Sequence, residues 1–281
     1  MATFDEIITY YDSKTKSILQ KYGPGPRVHF HCGVIESDTE PASNAEGIRQ
    51  QLIQSQEDVL YEAAQLWDAE RCLSGIVLDV GCGLGGGSIF WAQEYGARVF
   101  ALTNVPRHVG LVSQFATQAG VADQIIPILG DAHAIPENGT FETAVAINSS
   151  CHLDREAWFQ HLASRLRPDG RVFILDIFLG SEDSRELIDR YYRTHIGSVD
   201  EYEEAAVAAG FSLDKVLDIT ARSVGFWDFS ILHSRRLIES RTITDEEEVQ
   251  RLQRSIHFHD WLEQQYMDRG IIYLLLSFVR S

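Results

Sequence analysis

The stretch Ile76-Val77-Leu78-Asp79-Val80-Gly81-Cys82-Gly83-Leu84-Gly85-Gly86-Gly87 decides the fold. Four apolar residues and an aspartate run into five glycines within seven positions, and a helical pattern, Ser88-Ile89-Phe90-Trp91-Ala92, follows. A strand, a glycine turn and a helix make up a nucleotide-binding βα unit. The glycines remove Cβ atoms where backbone must approach a ligand, and the helix amino end offers unpaired N–H groups.

Two ligands fit this turn. Gly81, Gly83 and Gly86 satisfy the dinucleotide spacing G-x-G-x-x-G, whereas Asp79, Gly81, Gly83 and Gly85 satisfy D-x-G-x-G-x-G. A dinucleotide site needs an acidic residue at the end of the second strand to hold the ribose. That strand, Arg98-Val99-Phe100-Ala101-Leu102, ends in Thr103-Asn104 without a carboxylate. Further along, Gly130-Asp131-Ala132 closes a third strand and Asn148-Ser149-Ser150-Cys151-His152 a fourth. Leu166-Arg167-Pro168-Asp169-Gly170-Arg171-Val172-Phe173-Ile174 turns into a fifth. Together these segments resemble the class I S-adenosylmethionine-dependent methyltransferases over about residues 75–180. The resemblance implies S-adenosylmethionine as cofactor, with Asp79, Gly81, Gly83, Gly85, Gly130, Asp131, Ala132 and Asn148 around it.

Composition narrows the acceptor. With 281 residues, 44% of them hydrophobic, the chain can bury a large core. A net charge of −17 repels phosphate backbones and anionic lipid surfaces, so nucleic-acid and membrane substrates are disfavoured and a small molecule fits better. Cys32, Cys72, Cys82 and Cys151 are scattered without a C-x-x-C pair, which suits a reduced, cytoplasmic protein. Met1-Ala2-Thr3-Phe4-Asp5-Glu6 carries acids where a signal peptide needs bases. The apolar run 271–279 is too short to span a bilayer and reads as a buried strand.

Residues 1–26 read as helical until Gly23-Pro24-Gly25-Pro26, and 44–73 as one long helix with apolar residues recurring at three and four. Strands are expected near 76–80, 97–102, 125–129, 142–147 and 171–177, with helices between them. Helices at 186–196 and 200–209, a strand from Gly210 to Ile219, an aromatic helical stretch at about 222–268 and a closing strand complete the pattern. The expected architecture is α/β: a Rossmann-like, doubly wound, mostly parallel seven-stranded sheet. An N-terminal helical cap (1–74) would precede a methyltransferase core (75–281), with a helical lid (about 222–268) inserted before the last strand.

The amino-terminal elements Tyr10-Tyr11-Asp12, Tyr22-Gly23 and Arg27-Val28-His29-Phe30-His31-Cys32-Gly33-Val34 resemble those of isoprenoid C-methyltransferases, and more distantly sterol methyltransferases and cyclopropane fatty acid synthases. Geranyl diphosphate and teleocidin-type prenyl C-methyltransferases are the members they look most like. The second strand agrees: Leu102-Thr103 keeps the Leu-Thr of a Leu-Thr-x-x-x-x-Gln pattern, with His108 at the Gln position. By resemblance, Thr103, Asn104 and His108 contact the ribose region, and Tyr11 also stands on the cofactor side. One departure matters. Geranyl diphosphate methyltransferases carry Asn-Glu-Ser after the fourth strand, the Glu helping to hold magnesium and diphosphate. This chain reads Asn148-Ser149-Ser150, so an uncharged prenylated acceptor is expected.

Methylating an alkene leaves a carbocation, which demands a dry cavity walled by groups that tolerate positive charge. Tyr10, Tyr11, Tyr22, Phe226, Trp227 and Phe229 are candidate aromatic faces, with Tyr22 set at the reacting centre. His152 is the candidate base and His29 and His31 are candidate substrate contacts. The pairs His29/His31 and His257/His259 lack a third ligand at metal spacing, so no metal is expected. His257 and His259 read as part of a polar helix near the lid. Coupled cyclisation, O- or N-methylation of a small natural product, and a cofactor-holding cyclase without methyl transfer stay open, as does a homo-oligomer.

Overall fold

The computed structural model describes residues 3–135, 140–240, 243 and 245–281. Its centre is a seven-stranded sheet in the order β3-β2-β1-β4-β5-β7-β6. The strands are β1 (Ile76–Val80), β2 (Arg98–Thr103), β3 (Ile125–Leu129), β4 (Phe141–Ile147), β5 (Leu166–Leu179), β6 (Phe211–Asp218) and β7 (Ile271–Arg280). The first five pair in parallel, and β7 lies antiparallel between β5 and β6. Val77, Leu78 and Val80 are buried, as a central parallel strand covered on both faces requires. Chain order reverses between β1 and β4, and ligands of such sheets bind beyond the carboxyl ends of the strands at that point.

Helices cover both faces. On one side α4 (Gly86–Tyr95) and α5 (Pro106–Gln118) join α2 (Ala45–Trp67) and the short α3 (Ala69–Cys72) around Trp67, Phe90, Trp91 and Phe173. On the other, α6 (Arg155–Arg165) and α8 (Val199–Ala208) enclose Trp158, Phe159, Phe178 and Tyr202. Above the carboxyl edge lie α1 (Phe4–Tyr22), α7 (Arg185–Tyr192), α9 (Thr220–Glu239) and α10 (Glu246–Met267). α1 opens with a capping box, the Thr3 hydroxyl accepting from the Glu6 N–H while the Glu6 carboxylate accepts from the Thr3 N–H.

Two expected helices end differently. The 44–73 helix breaks at Asp68, whose left-handed backbone (φ 54°) separates α2 from α3. The 186–196 helix stops at Tyr192, because the Asp189 carboxylate accepts from both the Thr194 hydroxyl and the Ile196 N–H, at 2.8 Å each. That capture bends the chain at Arg193 (φ 60°) and turns its carbonyl toward β4. The aromatic stretch at 222–268 is the α9–α10 pair; residues 241, 242 and 244 between them lie outside the described residues.

Candidate active site

Two adjoining cavities occupy the carboxyl edge. The smaller, about 280 Å³, sits over the glycine turn, and the larger, about 590 Å³, lies under α1, α7, α9 and α10. Tyr11, Ile18, Phe30, His31, Asn148 and His152 line both.

The smaller chamber is built by backbone geometry. Gly81 (φ 73°) and Gly83 (φ 55°) hold left-handed conformations that side chains disfavour. A Cβ on Gly81 would lie 2.5 Å from Ser149, whereas one on Gly83 would meet no protein atom within 4 Å. Asp79 is buried at the end of β1, its Oδ2 accepting from the Ser88 hydroxyl at 2.5 Å, and burial pushes its carboxyl up to about 6. Thr103, Asn104 and His108 follow β2 into the lining, and Gly130, Asp131 and Ala132 follow β3. The Thr15 hydroxyl donates to the Tyr11 carbonyl at 3.0 Å, so at 2.9 Å His108 Nε2 donates to it, which ties α1 to this wall. His133 also lines the chamber, bonded to Asp131 and to the Asp154 N–H.

The shared partition holds a hydrogen-bonded pair. His152 Nδ1 lies 3.1 Å from the Arg193 carbonyl, which can only accept, so Nδ1 carries the proton. His152 Nε2 therefore accepts from the Tyr11 hydroxyl at 2.7 Å. Burial pushes His152 down to about 4, leaving the imidazole neutral at physiological pH. Asn148 (φ 47°) is fixed beside them by the Tyr273 hydroxyl, which donates to its Oδ1 at 2.7 Å. His31 donates from Nδ1 to the Cys32 carbonyl at 2.8 Å; burial first, then His29, pushes it down to about 3.

The larger chamber has aromatic walls with Tyr10, Tyr22, Phe226 and Trp227 in its lining. Three expectations are corrected. Phe229 lines neither chamber and packs into the core, because α9 turns positions 226, 227, 233 and 234 toward the cavity and 229 away. His29 lies on the cofactor side only, with Nε2 2.7 Å from Glu57 Oε1, while Arg27 donates to Oε2 of the same carboxylate. Gly85 lines neither cavity; it is the left-handed cap (φ 83°) from which α4 starts, against Val112. His259, expected merely near the lid, is a chamber wall between Ser230 and Ser255, while His257 is exposed.

The larger chamber also contains residues that pattern reading overlooked: Tyr191 and Tyr192 of α7, Lys14 and Lys21 of α1, and Arg251 of α10. Their signal was partly present, because Lys14, Lys16 and Lys21 are three of only four lysines in the chain.

Residues 77–170 match a methyltransferase domain family. That stretch is a methyltransferase domain. Over 214 residues (71% of this chain) it is 27% identical to a protein of Oryza sativa subsp. japonica named "Probable tocopherol O-methyltransferase, chloroplastic". The chain spans 58% of that relative's own length. It is similar in structure to a geranyl diphosphate methyltransferase bound to GPP and sinefungin, with TM-score 0.80, 19% identity and 99% of each chain covered. The geranyl diphosphate C-methyltransferase of Streptomyces coelicolor A3(2), holding Mg2+, geranyl-S-thiolodiphosphate and S-adenosyl-L-homocysteine, gives 0.79 at 16% identity over 99% of this chain and 98% of that one. At such identities the likeness establishes the fold of the methyltransferase domain. Its smaller chamber fits the cofactor: the Gly83 Cβ position is open, and the N–H groups that open α4 stand beside the turn.

Proposed function

We propose that the chain methylates an alkene carbon of a small prenylated acceptor held in the larger chamber. The shared partition supports this reading, because a donor over the glycine turn and an acceptor under α1 would meet at the wall common to both chambers, where Tyr11, Asn148 and His152 bring their polar groups together. When bound, S-adenosylmethionine supplies an electrophilic methyl group on a sulfonium. Asp79, Gly81, Gly83, Thr103, Asn104, His108 and the segment Gly130–Ala132 would hold it, with Asn148 at the junction.

The remaining chemistry belongs to the protein. Confining both partners in one orientation can be worth ~7–11 kcal/mol in favourable systems. Tyr10, Tyr11, Tyr22, Phe226 and Trp227 line the chamber in which the cation would develop, and each ring facing it would contribute ~0.5–2 kcal/mol when desolvated. The cation then loses a proton. The Tyr11 oxygen accepts it while the Tyr11 hydroxyl proton passes to His152 Nε2, and the Arg193 carbonyl steadies the imidazolium through Nδ1–H. A cation that closes onto a second double bond before losing the proton gives a methylated ring by the same machinery. On this reading residues 1–74 are a cap on a 75–281 core, and the α9–α10 pair is its lid.

The Tyr11–His152 pair also favours a second reading, O-methylation, since an acceptor hydroxyl in place of the Tyr11 hydroxyl would lose its proton to Nε2. The name of the rice relative points the same way. Incubation with methyl-labelled S-adenosylmethionine and a panel of prenylated indoles, terpenes and phenols separates the two. Label on carbon supports the first reading and label on oxygen the second; no label in any product overturns both.

A further inference from the structure

The chain has four lysines and 41 acidic residues, yet Lys14, Lys16 and Lys21 all line the larger chamber. Lys16 stands exposed at its edge. Lys14 and Lys21 point inward, and neither forms an ion pair among the described residues. The Lys14 ammonium lies 5.2 Å from the centre of the Tyr10 ring and 5.9 Å from that of Tyr191. The Lys21 ammonium donates to Ser230 Oγ at 2.5 Å and lies 5.2 Å from the centre of the Tyr22 ring. Burial lowers both, Lys21 to about 7. Arg251 lines the same wall, but its guanidinium is already forked onto Glu248 at 2.9 and 2.6 Å.

Asp245 and Glu248 also line the chamber, but neither is within ion-pairing distance of Lys14 or Lys21, and an ammonium buried without such a partner is costly unless a ligand completes it. A surface lysine would leave for water. These two are retained on the inward face of a helix that also carries Tyr11, and among the described residues Lys21 has one hydrogen-bond acceptor for three N–H donors. Taking the proposed alkene methylation as given, we propose that Lys21, assisted by Lys14, binds a carboxylate on the prenyl acceptor. This replaces the expectation of an uncharged acceptor.

Charge and length both constrain that group. Arg251 is neutralised by Glu248 and Asp245 adds a negative charge at the chamber edge, so Lys14 and Lys21 leave about one net positive charge, a match for a monoanion. A diphosphate would need a bridging cation, and the described residues gather no cluster of three or more His, Cys, Asp or Glu side chains for one. Ten residues separate Tyr11 from Lys21 along α1, a rise of about 15 Å. The head group is therefore anchored about 15 Å along α1 from the Tyr11–His152 pair, and a short polyprenyl chain bridges the two. Lys21 acts as a ruler that selects which double bond meets the methyl donor.

Calorimetric titration with farnesoic acid and farnesol, in the presence of saturating S-adenosylhomocysteine, tests this. The unaltered protein should bind the acid at least tenfold more tightly than the alcohol. Lys21→Met should cut that preference to threefold or less, Lys21→Arg should restore most of it, and farnesol affinity should stay the same in all three. Equal affinities in the unaltered protein, or a preference that survives in the Lys14→Met/Lys21→Met double variant, would overturn the proposal. So would tighter binding of magnesium-free farnesyl diphosphate than of the acid. A prior titration with S-adenosylhomocysteine alone keeps the two failures apart: heat there with no acid preference removes only this proposal, whereas no heat removes the methyltransferase reading beneath it.

Discussion

Gly83 and Gly120 share a backbone conformation and differ only in location. Both have positive φ (55° and 75°), and an added Cβ meets nothing within 4 Å at either. Alanine should cost about 1–2 kcal/mol at each through left-handed strain alone. Only Gly83 borders the chamber over the turn. Gly83→Ala is therefore expected to weaken S-adenosylhomocysteine binding at least tenfold, while Gly120→Ala leaves it unchanged; equal affinities by calorimetry would detach the turn from the cofactor. The Tyr11–His152 pair is tested by kinetics. His152→Ala should lower kcat by ~10²–10⁴, the usual range for a positioned base, with cofactor affinity unaltered. Because burial holds His152 down to about 4, kcat at saturating cofactor and acceptor should fall only as pH approaches 4, while Asp79 at about 6 and Lys21 at about 7 act on ligand affinity and show in KM. A kcat limb near 6.5 that persists at saturation would show an unburied imidazole and remove the pair from the mechanism.

At the scale of single elements, α9 shows what spacing can and cannot reveal. Phe226, Trp227 and Phe229 all suggested a chamber wall, but only the first two reach it, because rotation about a helix separates near neighbours in sequence. Phe229→Ala should cost ~3–5 kcal/mol in urea unfolding and leave the acceptor KM of the folded fraction unchanged. Trp227→Leu should raise that KM several-fold. The reverse pattern would mean that the α9 face has been misplaced.

The glycine turn, the alternation of strands and helices, and the Gly130–Ala132 and Asn148 strand ends were legible because they are local. Each states its conformation within a few residues. What was hidden depends on segments far apart in sequence. Arg193 reaches His152 only because Asp189 ends α7 early, and no local pattern announces that. Lys21 meets Ser230 across 209 positions, and Glu57 claims His29 from α2. The clustering of three lysines on α1 in so acidic a chain was visible, but the inward aim of Lys14 and Lys21 depends on how α1 lies against α9 and α10.

For the whole molecule, buried histidines set the response to acid. His31, His108, His152, His195, His233 and His259 are all held below their ordinary range chiefly by burial, to about 3 at His31 and about 4 at His108, His152 and His233. Between pH 6.5 and 4 the unfolded chain takes up protons that the folded chain refuses, so this stability is complete above about 6.5 and lost as pH falls. Asp79, at about 6, works the other way: the folded carboxyl keeps a proton that the unfolded one releases above about 4. Asp176 and Glu263 are raised as well and share its sign. Six histidines against three carboxyls make the net slope positive. The melting temperature should fall steadily from pH 6.5 to 4.5, and the slope should shrink in His108→Asn/His233→Asn; a rise toward pH 4.5 would show that the buried carboxyls dominate.

The proposed chemistry requires that the chamber over Asp79–Gly87 receives a sulfonium donor. Calorimetric titration of the whole protein with S-adenosylhomocysteine and, separately, with NAD tests this directly. The account predicts saturable heat at one site per chain with the first and none with the second. Heat with NAD alone would contradict it.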